Sequence, residues 1–143
     1  MKKILLICLI AVTALVGCKK DDNESKTSND KLIGKWMAKT EIEFEYENGK
    51  LVRQEDPSSY DTDEYVIEFT GTQIKQYEFG ESIEEPYNYT VSGDKINYTE
   101  DGNSKFITIK SQSDKNLVLL MEDVDVINGV TFKEVLEISL VKK

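Results

Sequence analysis

Gly34-Lys35-Trp36-Met37-Ala38-Lys39-Thr40-Glu41-Ile42-Glu43-Phe44-Glu45-Tyr46-Glu47 alternates almost without interruption. Trp36, Ala38, Thr40, Ile42, Phe44 and Tyr46 share one parity, and Lys39, Glu41, Glu43, Glu45 and Glu47 share the other. Successive side chains of a strand point to opposite faces, so this run predicts an antiparallel strand with one buried and one wet face. Asn48-Gly49 follows, a pair that accepts φ > 0 at both positions of a tight turn, and Leu51-Val52 begins the return. Pro57 marks the polar stretch 54–63 as a loop.

Outward from this strand the pattern repeats. Short alternating runs at 64–70, 74–79, 86–91, 95–100, 104–110, 117–124 and 130–141 are separated by turn residues, among them Ser92-Gly93-Asp94, Asp101-Gly102-Asn103 and Asn128-Gly129. Connections this short join sequential neighbours, which predicts an all-β fold of eight strands in up-and-down order. A meander of that size closes into an antiparallel barrel and so removes its exposed edges, with an open β-sandwich as the alternative. One brief helical turn is expected near 29–33, and the domain spans 31–143.

The chain begins differently. Met1-Lys2-Lys3 is basic, residues 4–16 are an apolar run too short for the about 20 residues that span a bilayer, and Gly17-Cys18 follows. This is the layout of a signal peptide over 1–17. Leu15-Val16-Gly17-Cys18 resembles the lipobox of bacterial lipoproteins, which implies cleavage before Cys18 and acylation of its sulfur and its freed amine, palmitate being the expected type of chain. Each buried CH₂ of such a chain adds about 0.8 kcal/mol of membrane binding, so two or three chains anchor firmly. Residues 18–30 then form a tether, because 19–30 carry no apolar side chain and have nothing to bury. Lys20-Asp21-Asp22 resembles the export signal of Bacteroidetes surface lipoproteins. The expected location is the outer membrane, lipid-anchored, on the periplasmic face or at the cell surface.

Composition excludes several chemistries. The net charge is −9, more negative still once Lys2 and Lys3 are removed, which argues against a nucleic-acid partner. There is no histidine, and of the two cysteines Cys8 leaves with the leader while Cys18 is the lipidation site. That excludes zinc sites built on His and Cys, and Ser-His-Asp or Cys-His nucleophile systems. Asp61-Thr62-Asp63-Glu64 and Glu122-Asp123-Val124-Asp125 are acidic, but neither has the glycine and terminal glutamate of an EF-hand loop. We therefore expect no catalytic residue, no metal, no cofactor and no enzyme activity.

Two motifs carry a family resemblance. Gly34-Lys35-Trp36 resembles the Gly-x-Trp of lipocalins, and Tyr87-Asn88-Tyr89-Thr90-Val91-Ser92-Gly93-Asp94-Lys95-Ile96 resembles a hairpin of bacterial lipocalin-like lipoproteins, with the likeness running from about Leu32 to Lys142. The resemblance implies that Trp36 packs across the closed end of the barrel, with Gly34, and that a cavity opens at the other end. It also implies a cation stacked on Trp36 from the last strand. The chain's single arginine is Arg53, so Lys142 or Lys143 would take that place.

Parity places Phe44, Tyr46, Tyr65, Phe69, Tyr87, Tyr89 and Tyr98 in a shared interior, a lining suited to a small hydrophobic or amphipathic ligand or to a packed core. Glu134 shares the parity of Phe132, Leu136, Ile138 and Leu140. We expect a bulge near Lys133-Glu134 to turn it outward; unbroken alternation would instead make it a lumen carboxylate that orients a ligand. Residues 117–121 are apolar on both faces, as an interaction surface would be. The expected function is a membrane-anchored, lipocalin-like binding protein. The alternative is an envelope protein-protein interaction or structural module with a filled barrel.

Overall fold

A computed structural model describes residues 28–143; the signal peptide, Cys18 and the tether as far as residue 27 lie outside the described residues. A single turn of helix, α1 (Ser28–Leu32), precedes eleven strands: β1 (Gly34–Glu47), β2 (Lys50–Gln54), β3 (Ser58–Ser59), β4 (Tyr65–Phe69), β5 (Gln73–Glu78), β6 (Glu81–Ser82), β7 (Tyr87–Ser92), β8 (Lys95–Glu100), β9 (Asn103–Gln112), β10 (Asn116–Ile127) and β11 (Val130–Lys142). Eight of them, β1, β4, β5, β7, β8, β9, β10 and β11, pair antiparallel in sequence order, and β11 returns to β1 from Trp36↔Lys142 to Glu47↔Phe132. The circuit is therefore a closed barrel, which removes the sandwich alternative. β2 and β3 pair with β1 beyond the reach of β4, and β6 pairs with β5, so the 54–63 loop also holds a short strand.

The turns follow the local chemistry. Asn48-Gly49, Asp101-Gly102 and Asn128-Gly129 take φ > 0 at both residues, the geometry whose twist matches the flanking strands. Phe79-Gly80 does the same with φ 48° at an exposed phenylalanine. No composition rule points to a turn there, because phenylalanine is a poor occupant of the left-handed region.

At the closed end, Trp36 and Leu32 are fully buried, and Trp36 Nε1 donates to the Leu32 carbonyl at 2.6 Å, which fastens α1 beneath the barrel. Lys142 Nζ stands 5.1 Å from the Trp36 ring centroid, in the place the resemblance assigned to a cation. Gly34 has φ +129°, a backbone region that calls for glycine, and a Cβ there would lie 3.0 Å from Lys142 Cε and press on the end of that side chain. Above this floor Phe69, Ile96, Leu117, Leu119, Ile138 and Leu140 fill the lumen.

The first strand departs from its alternation at one point. Its register against β11 shifts between Ala38↔Leu140 and Thr40↔Ser139, leaving Lys39 as the extra residue of a bulge. Paired residues share a face, so Trp36 and Ala38 point inward, and beyond the bulge it is Glu41, opposite buried Ile138, and Glu43, opposite Leu136, that face the lumen. Phe44 and Tyr46 are thereby turned out of the barrel. They pair with Val135 and Lys133, the Lys133 ammonium lies 5.1 Å from the Tyr46 ring, and neither aromatic belongs to the core cluster. This corrects their expected interior position. Glu134 is corrected in the opposite sense: the pairing runs unbroken through Lys133 and Glu134 on both sides of β11, so Glu134 stays on the lumen face, exposed at the mouth.

The two phenylalanines should therefore respond differently to truncation. Phe69→Ala is expected to cost about 3–5 kcal/mol in urea unfolding, and Phe44→Ala less than about half of that; equal losses would mean that Phe44 shares the core.

Candidate functional site

The site arises where one ladder stops. β9 and β10 pair from Leu117↔Gln112 to Met121↔Ile107, and no further. Beyond that point the start of β9 is held by β8 alone, and Glu122–Ile127 of β10 by β11 alone. The strands part, and the gap holds a cavity of ≈ 350 Å³ lined by Glu43, Tyr98, Lys105, Phe106, Met121, Glu122, Asp123, Glu134 and Leu136. Met121, Leu136 and Glu43 form one cross-strand row of its wall, and Asp123 and Glu134 belong to the next, which Glu45 continues beyond the cavity.

The rows differ in chemistry. Tyr98, Phe106, Met121 and Leu136 offer aromatic, thioether and aliphatic surface, which accepts an irregular apolar group. Glu43, Asp123 and Glu134 bring carboxylates, of which Asp123 and Glu134 stand directly opposite each other, a destabilising arrangement for like charges. The neighbouring cations lie against other carboxylates. Arg53 bonds Glu45 at 2.5 Å and also Glu55, Lys133 reaches Glu122 at 3.3 Å, and Lys105 lies 3.9 Å from Glu100.

Tyrosine hydroxyls fill much of the remaining lumen, and most have a protein partner. Tyr65 donates to Gln76 Oε1 at 2.6 Å and stacks on Tyr60, their centroids 5.8 Å apart, while Tyr60 donates to Glu41. Tyr89 donates to the Thr70 carbonyl at 2.8 Å and meets Phe69 edge to face. Tyr87 lies between Glu84 and Glu100, 2.9 Å from the latter, and tilts against Tyr98. Among the described residues the Tyr98 hydroxyl alone of this lumen group finds no protein partner, and Tyr98 lines the cavity.

Of the residues singled out from sequence, Tyr65, Phe69, Tyr87, Tyr89, Tyr98 and Glu134 share the lumen face through the chain of cross-strand pairs. Only Tyr98 and Glu134 reach the cavity; Phe69 and Tyr89 are core. Sequence reasoning missed Met121 and Asp123, although extending the alternation of Leu117 and Leu119 along β10 points to both. It also missed Glu43, for which no local signal exists, since its face depends on the bulge. The acidic run 122–125 does not converge, because alternation sends Glu122 to one face and Asp123 and Asp125 to the other. In the other acidic run Glu64 accepts from the Asp61 amide at 2.6 Å and Asp63 pairs with Lys143 at 2.7 Å.

Burial holds these phenols neutral. It pushes Tyr65 up to about 12 and raises Tyr89 and Tyr98, while the Glu84 carboxylate that accepts from Tyr87 is the main cause of that residue's rise. An unfolded tyrosine ionises near pH 10. The folded pKa being the higher, the stabilisation is complete below about pH 10 and is lost as pH climbs toward 12. Melting followed by circular dichroism should show no tyrosine-linked fall up to about pH 9 and a steep one above pH 10, shallower in Tyr65→Phe; an unchanged slope in that variant would remove Tyr65 as a source.

The match to known families covers the same architecture. A family model described as a lipocalin-like domain matches residues 32–119, more than half of the chain, from the end of α1 into β10. No curated protein matches the chain. With the closed eight-stranded circuit, the tryptophan at its floor and this match together, the chain belongs to the lipocalin-like domain family.

Proposed function

We propose that the protein is a binding module, not an enzyme, which holds a small hydrophobic or amphipathic molecule in the cavity at the mouth of its barrel while a lipid on Cys18 anchors it to the outer membrane, on the periplasmic face or at the cell surface. The observation that carries this reading is the ≈ 350 Å³ cavity between the parted strands β9 and β10, within the range of small-molecule sites and with mixed apolar and polar walls. Family membership supports it, a lipocalin-like barrel being suited to a ligand. The anchor reading rests on the sequence of residues 1–30. Since α1 lies under the closed floor, a tether leading into it leaves the mouth at the far end from the attachment point.

A second reading has its own observation. The lower lumen is packed solid, and Val124, Val126 and Ile127 stand exposed on the part of β10 whose outer edge is unpaired. Such an edge invites an added strand, so an envelope protein partner is the competing function.

Native mass spectrometry of protein taken from its own host, after proteolysis within the tether, should show a stoichiometric non-covalent mass that organic solvent removes. Met121→Trp, which fills the cavity, should abolish it. An apo mass under gentle conditions would favour the partner reading. Labelled palmitate should enter the wild-type chain and not Cys18→Ser, and label persisting in that variant would refute the anchor.

A further inference from the structure

Resting on the reading that this cavity takes a small ligand, we propose that it selects amphipathic monocations, seating an ammonium group against Glu43, Asp123 and Glu134 and an apolar body against Tyr98, Phe106, Met121 and Leu136.

The cavity sets unmatched negative charge beside apolar surface. Among the described residues Glu43, Asp123 and Glu134 have no ion-pair partner within 4 Å. Of the other charged groups of the wall, Glu122 pairs with Lys133 at 3.3 Å, and Lys105 stands 3.9 Å from Glu100, so three unpaired carboxylates face a single lysine. Glu134 stands between Glu45 and Asp123 across three strands, three carboxylates in one row with Arg53 bound only to the outermost. Opposed like charges on neighbouring strands cost stability, and a bound cation relieves that cost. An anionic ligand would increase it.

The cation that fits carries an apolar body. A bare metal ion needs several oxygens converging at about 2.5 Å or less. Among the described residues no group of three or more acidic side chains is arranged to do so, because the carboxylates are spread along the wall on β1, β10 and β11. An ammonium needs no such convergent shell, because a hydrogen bond to one carboxylate holds it while the others add longer-range attraction. Below them Tyr98 presents an aromatic ring and an unpartnered hydroxyl, and Met121 a polarizable, adaptable side chain. A smaller hollow of ≈ 50 Å³ bounded by Asp123, Asp125, Phe132 and Glu134 extends the acidic rim upward.

The test compares three probes of nearly one shape on the full chain by titration calorimetry: phenethylammonium, phenethyl alcohol and phenylacetate. Phenethylammonium should bind about tenfold more tightly than the alcohol at neutral pH and lose that advantage in added salt, and phenylacetate should not bind. Glu134→Gln and Asp123→Asn keep side-chain shape and remove like charge, so both variants should fold and melt no lower than wild type. Each should cut phenethylammonium affinity several-fold while leaving the alcohol unchanged. Equal binding of alcohol and ammonium, indifferent to both substitutions, would overturn the selection for cations and leave the ligand-binding reading standing. If none of the three probes binds, and host-derived protein carries no ligand that Met121→Trp expels, both readings fall together.

Discussion

One extra residue in β1 governs the chemistry of this barrel. β1 is the strand on which the circuit closes, with β4, β3 and β2 along one edge and β11 along the whole of the other. A strand that stayed in register would carry the apolar parity of Trp36 and Ala38 through to Tyr46 and leave five charged side chains in water. The bulge at Lys39 exchanges the faces midway. The lower half of β1 gives Trp36 and Ala38 to the packed floor, and the upper half gives Glu41 and Glu43 to the lumen. Burying a carboxylate in a dry core would be prohibitive, so the exchange requires a wet mouth.

The rest of the architecture is consistent with that division. Side chains fill the closed end, where the Trp36 indole is held by the Leu32 carbonyl below and the Lys142 ammonium beside it. Towards the mouth β1, β10 and β11 outrun their neighbours, the β9–β10 ladder ends at Met121, and the wall opens sideways. Stability is therefore concentrated away from the cavity, whose wall is built from strand ends that few partners hold.

Polar groups within the lumen follow one pattern. Tyr60, Tyr65, Tyr87 and Tyr89 each spend their hydroxyl on a carboxylate, an amide or a backbone carbonyl, which makes them part of the wall and not of its recognition surface. An aromatic-rich lining read from sequence is thus mostly scaffold. Tyr98 differs: among the described residues its hydroxyl has no protein partner, while its neighbours Tyr87 and Lys105 both lie against Glu100.

The sequence by itself determined the eight strands of the barrel circuit, their meander order and the Asn-Gly and Asp-Gly turns, because alternation and turn chemistry are properties of a few adjacent residues. The tryptophan floor and its cation from the last two lysines came from the resemblance to lipocalins carried by Gly34-Lys35-Trp36, and not from periodicity. Tertiary structure decided which residues line the cavity. The face of Phe44, Tyr46 and Glu43 depends on the bulge at Lys39, that of Glu134 on the absence of one at Lys133, and the cavity on where the β9–β10 ladder ends. A register shift of one residue changes nothing in local composition yet inverts every side chain beyond it, so it is settled only by the pairing partner across the sheet.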